Sequence, residues 1–103
     1  MIQVRVHKQD GVISKVSLKG HAGTAEYGKD LVCAAVSAIM FGFCNALDQI
    51  AGNGEAVIRS NLISAENISF EEKENVIFET LLVQLETVAE QYPDAVKIEI
   101  MEE

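Results

Sequence analysis

The stretch Asp30–Ala51, DLVCAAVSAIMFGFCNALDQIA, decides the fold, because Leu31 to Leu47 carries no charge. A helix that spans a bilayer needs about 20 strongly apolar residues. This run is shorter and rich in Ala, contains Ser37 and Asn45, and is bounded by Asp30 and Asp48 without basic anchors. It reads as the buried central helix of a globular core. Asp30 stands at the N-cap position, where its carboxylate can accept a hydrogen bond from the Cys33 amide. The helix is expected to run to about Ala51, where AGNGE ends it with two glycines. Because it is apolar nearly all round, it needs cover beyond one sheet, and a second subunit can supply it.

Outward from this helix the pattern turns to strands. Ile2, Val4 and Val6 alternate with Gln3, Arg5 and His7, the period of a half-buried strand, and Val12, Val16 and Leu18 continue it after QDG. Asp10-Gly11 is a hairpin signal, so these two strands are expected to be antiparallel neighbours. On the other side, Val57–Ser60 and Ala65–Phe70 read as two short strands. FEEKEN then sets acidic residues in the first turn of a second helix, where the dipole favours them. Phe78, Leu81, Leu82, Leu85, Val88, Ala89 and Tyr92 recur at three- and four-residue steps, Pro93 stops the helix, and Val96, Ile98 and Ile100 alternate as a last strand. The expected fold is α+β: a two-layer sandwich with a largely antiparallel sheet and two helices, in the order β-β-α-β-β-α-β.

At 103 residues the chain is expected to form a single domain, 1–103. With 49% apolar residues and one proline it is not a disordered chain. The net charge of −8 argues against direct nucleic-acid binding and suits a basic partner, although an acidic surface is also an ordinary route to solubility. The alternating N-terminus does not read as a signal peptide, and a cytoplasmic protein is expected. Cys33 and Cys44, eleven residues apart on one helix, lie roughly 16 Å apart, too far for a disulfide. No closely spaced Cys and His set signals a metal site.

Chemistry is suggested by Cys33 and His21. A thiol needs its pKa lowered to attack a carbonyl, and the positive end of a helix does this. Asp30 works partly against that effect. His21, at the end of the second strand, is placed to act as a base titrating near neutral pH. Gly20, Gly23 and Gly28 give the intervening Ala22–Lys29 segment freedom to close over a peptide. The first-turn amides of the helix could hold a developing oxyanion. Ser37, one turn after Cys33, either orients a group or permits close packing. Spacing alone leaves a buried structural thiol and a nucleophile both open. His7 reads as a solvated residue, Cys44 as core, Met40, Phe41 and Phe43 as core or groove, and Tyr27 as a loop anchor or a substrate contact.

The motifs GHAG and YGKDLVCAAVSA, at this separation, resemble those of the ribosomal-processing cysteine proteases of Firmicutes and related bacteria. The resemblance extends over essentially the whole chain. It implies a cysteine endopeptidase that removes a short N-terminal extension from a large-subunit ribosomal protein during ribosome assembly. It also implies His21 and Cys33 as the catalytic pair, Asp30 and Ser37 as supporting residues, and a substrate loop that includes Ala22, Gly23, Tyr27 and Gly28. The family's cleavage motif has consecutive phenylalanines before the cut and a small residue after it. Its members form homodimers, and no metal, organic cofactor, nucleic acid or membrane is implied. A non-catalytic acidic assembly factor and a redox-sensing thiol are the competing readings.

Overall fold

Asp10 and Gly11 both take positive φ, 53° and 79°, which is the requirement of a two-residue hairpin turn whose twist matches its strands. They join β1 (Ile2–Gln9) to β2 (Val12–Lys19). The chain continues through α1 (Leu31–Ala46), β3 (Glu55–Arg59), β4 (Leu62–Glu66), α2 (Glu72–Gln91) and β5 (Val96–Glu102), the expected order. This computed structural model describes residues 1–20, 30–52, 55–59 and 62–103, with 55–59 described as backbone.

The five strands form one sheet in the order β3-β4-β2-β1-β5, antiparallel at every pairing except β1 with β5. The parallel pairing follows from α2, which carries the chain across the sheet before β5 returns beside β1. The Ile2 amide bonds the Ala95 carbonyl at 2.8 Å and sets that register.

Ile2, Val4 and Val6 point into the core as expected, but on β2 the inward residues are Ile13, Val16 and Leu18, and Val12 is only half-buried. A bulge explains the change. Between His7 and Lys8 the pairing steps from Lys15 to Ile13, and the extra residue, Ser14, turns its hydroxyl to the His7 carbonyl at 3.1 Å. Strand periodicity cannot register such an insertion, because the alternation on either side of it is intact.

The later strands also differ from their expected limits. The strand expected over Val57–Ser60 runs from Glu55 to Arg59, and the one expected over Ala65–Phe70 runs from Leu62 to Glu66. Asn67 ends β4. Its amide and side chain bond the Ser14 and Ile13 carbonyls at 2.9 and 3.1 Å, its Nδ2 reaches Asn75 Oδ1 at 2.9 Å, and its Oδ1 accepts from the Phe70 amide at 3.0 Å. Phe70 itself takes φ 57°, a left-handed turn conformation outside any strand.

Both helices lie on one face of the sheet. α1 buries Val32, Val36, Met40 and Phe43, and α2 buries Phe78, Leu81, Leu82 and Leu85. The Phe43 and Phe78 rings meet edge to face with centroids 4.9 Å apart, joining the helices at the centre of the core. Tyr92 and Ile100, expected on the inward stripes, are exposed: Tyr92 lies past the end of α2 and Ile100 on an edge strand. After α1 a single wider turn, Leu47–Ala51, precedes Gly52, whose φ of 64° ends the helix. Leu31–Ala51 is long and apolar enough to cross a membrane by length and composition, yet one side of it packs in the core among Val32, Val36, Met40, Phe43 and Leu47.

Candidate active site

The first turn of α1 is built by Asp30. Its extended backbone, φ −79° and ψ 97°, directs the chain into the helix, and its Oδ1 accepts the Cys33 amide at 3.0 Å. Its carbonyl takes the first helical bond, from the Ala34 amide at 3.1 Å. This is the cap expected from the sequence. A helix start has several amides without partners inside the helix, and the dipole's positive end lies there, so an anion at this position is favoured.

Cys33 sits in that turn, half-buried at the edge of the core, with Val32 and Val36 fully buried beside it. Ser37, one turn further along the same side, is exposed to solvent. Asp30, Cys33 and Ser37 therefore line up along one mouth of α1. His21, Ala22, Gly23, Tyr27 and Gly28 lie outside the described residues.

Gly20 is described, and its role is more specific than loop freedom. It takes φ 95°, and a Cβ on it would collide with the Met1 carbonyl oxygen. Only glycine combines that backbone conformation with so close an approach. The chain thus leaves β2 pressed against the start of β1, and the residue immediately before His21 is fixed by packing. A glycine directly after a strand and before a histidine was the available signal.

The other singled-out residues divide clearly. Cys44 is half-buried, and burial pushes its thiol pKa up, the opposite of what a nucleophile needs. Neither cysteine is in a disulfide. Met40 and Phe43 are core, but Phe41 is 51% exposed. Phe41 falls on the outer side of α1, where the sheet and α2 do not reach. His7 lies on the open face of the sheet, with its Nδ1 3.5 Å from a Glu103 carboxylate oxygen. Among the described residues no group of three His, Cys, Asp or Glu could hold a metal ion.

The family model of cysteine protease Prp matches residues 1–97. The chain belongs to this family. It is 32% identical to the ribosomal processing cysteine protease Prp of Staphylococcus aureus over 95% of this chain and 97% of that protein. It is 34% identical to the Bacillus subtilis protein of the same name, over 95% of this chain and 96% of the relative. A crystal structure of the S. aureus protease with a covalently linked product peptide superposes with a TM-score of 0.92 at 28% identity, covering 97% of this chain and 99% of that one. A structure from Streptococcus mutans matches with a TM-score of 0.86 at 32% identity, covering 100% and 96%. The protein is therefore a cysteine protease, and the S. aureus structure with bound peptide shows that this fold accommodates a polypeptide.

Proposed function

We propose that the protein removes a short N-terminal extension from a large-subunit ribosomal protein, with Cys33 as nucleophile and His21 as general acid and base. The observation that carries the assignment of Cys33 is its place in the amide-rich first turn of α1, while burial raises the pKa of the Cys44 thiol. The Cys33 sulfur attacks the scissile carbonyl, and the C–N bond breaks as His21 gives a proton to the departing amine. His21 then takes a proton from water, whose oxygen attacks the acyl carbon and releases the thiolate. Because the Cys33 amide is bonded to Asp30, the oxyanion is assigned to other amides of the turn. Asp30 orients the turn, Ser37 lines the approach to the sulfur, and the substrate rests against a loop that includes Ala22, Gly23, Tyr27 and Gly28. Thiol, imidazole and water suffice for this sequence of steps, so no cofactor is called for.

The relatives are named for ribosomal processing, and a basic ribosomal protein suits a chain of net charge −8. We place the reaction in the cytoplasm, without direct contact to nucleic acid or membrane, and assign all of it to one domain. The protein is further inferred to act as a homodimer. The outer side of α1 supports this, with Leu31 74% and Phe41 51% exposed and no charged residue between Asp30 and Asp48.

The test is incubation with a peptide carrying paired phenylalanines followed by a small residue, read by mass spectrometry. Wild type is expected to cut after the phenylalanines, Cys33→Ala to bind without cutting, and His21→Ala to lose at least about 100-fold in rate. Cleavage by Cys33→Ala would remove the nucleophile assignment. Binding without cleavage by wild type would favour a non-catalytic assembly factor.

A further inference from the structure

We propose that the groove between the β1–β2 turn and α2 docks a basic segment of the mature substrate protein, outside the bond that is cut; this rests on the substrate reading above. The groove has a volume of about 430 Å³, with Gly11 and Val12 on one wall and α2 on the other. Val76 and Val83, 57% and 58% exposed, stand on the outer side of α2. Thr80 and Thr87 continue their stripe at steps of three and four residues. Each threonine hydroxyl donates to its own helix at 2.8 Å, Thr80 to the Val76 carbonyl and Thr87 to the Val83 carbonyl. Their polar groups are thus satisfied, and the stripe offers methyl groups to a partner.

Charge selects that partner. α2 carries five glutamates against one lysine, and of these Glu72 and Glu79 line the groove. Glu86 and Glu90, both exposed, extend the acidic side along the helix. Of the cations, Arg5, Lys15, Lys19 and Lys97 alternate with the inward residues of β1, β2 and β5 and so occupy the sheet face turned away from the helices, while Lys73 lies on α2 and Lys8, in register with Ile13, lies on the helix side near the hairpin. The field at α2 is therefore more negative than the net charge of −8 alone conveys. A second copy would bring the same negative charge against these glutamates, whereas the uncharged outer side of α1 carries no such penalty. The occupant that fits is a Lys- and Arg-rich segment with aliphatic side chains, the composition of a protein that binds RNA.

The test uses the labelled, extension-free ribosomal protein as probe and fluorescence anisotropy as readout. Wild type is expected to bind it, and Glu79→Lys/Val83→Arg, both changes at exposed positions, to weaken binding on the order of tenfold or more, with a flatter salt dependence. Val83→Gln alone, which adds no charge, guards against an effect of charge only. Both variants are expected to cut a short peptide bearing the cleavage motif at the wild-type rate. No binding by wild type, unchanged binding by the variants, or a change of oligomeric state in place of a loss of binding would each overturn the proposal. Binding that persists where no peptide is cut would count against the protease reading and leave the docking site standing.

Discussion

The Asp30 carboxylate accepts the Cys33 amide at 3.0 Å and, in doing so, sets a negative charge at the mouth of the helix whose dipole favours a thiolate. The two effects can be separated. Asn caps a helix about as well as Asp but carries no charge, so Asp30→Asn is expected to keep the melting temperature, while Asp30→Ala loses about 1 kcal/mol of stability. Removing a negative neighbour favours the ionised sulfur, so the pH profile of Cys33 alkylation should move to lower pH in Asp30→Asn. The measurement is best made with Cys44→Ala as background, so that one thiol reports. Equal destabilisation by both changes would show that the charge, not the cap, holds the turn. This part of the site was legible because a cap and a first-turn cysteine are separated by three residues and one helical geometry fixes both. The proposed pairing of Cys33 with His21 is a long-range property, and His21 lies outside the described residues. Its neighbour Gly20 shows what short-range reading omits: the collision that demands glycine is with Met1, at the far end of an adjacent strand.

Among elements, those with an uninterrupted period were read correctly: β1, α1, α2 and β5, with the Asp10-Gly11 turn that sets the first hairpin. The misplaced end of β4 traces to one side chain. Asn67 is 6% exposed and links the Ser14 bulge of β2, the end of β4 and the first turn of α2 through hydrogen bonds to Ile13, Phe70 and Asn75. Apolar alternation carries no record of such a bond, so the strand was extended past its true end into Ile68 and Phe70, both exposed. Beside it, the hydroxyl of Ser69 donates to the buried carboxylate of Glu74, a second polar tie at the start of α2. Asn67→Ala is expected to cost about 1–3 kcal/mol, because it takes the side-chain donor from the buried Ile13 carbonyl and the acceptor from the part-buried Phe70 amide. Urea unfolding would measure the loss, and hydrogen exchange should show the Phe70 amide losing protection before the β1–β2 hairpin. A variant as stable as wild type would mean that β4 is ended by something other than this network.

At the scale of the whole molecule, the unusual apolarity of α1 has a consequence that the sheet does not absorb. Val32, Val36, Met40 and Phe43 face the core, and the opposite side leaves Leu31, Phe41 and the small residues Ala34 and Ala38 exposed. Helices of single-domain monomers place polar residues on such a side. α2 does so with its glutamates, and α1 does not. The contrast suits the two partners proposed above: a second copy for the uncharged surface, a basic substrate for the acidic one. A stable dimer buries about 800 Å² on each subunit, and an exposed aromatic near the middle of the contact contributes disproportionately. Phe41→Asp is therefore expected to convert a wild-type dimer into a folded monomer, seen by sedimentation velocity at micromolar concentration with an unchanged circular dichroism spectrum. Since Phe41 is half exposed in the isolated chain, the substitution leaves the monomer core intact. Val83→Asp, on the far side of α2, should stay dimeric and acts as the control for added charge. A monomeric wild type, or dissociation by Val83→Asp and not by Phe41→Asp, would place the second copy on another surface and leave the bare side of α1 without an occupant.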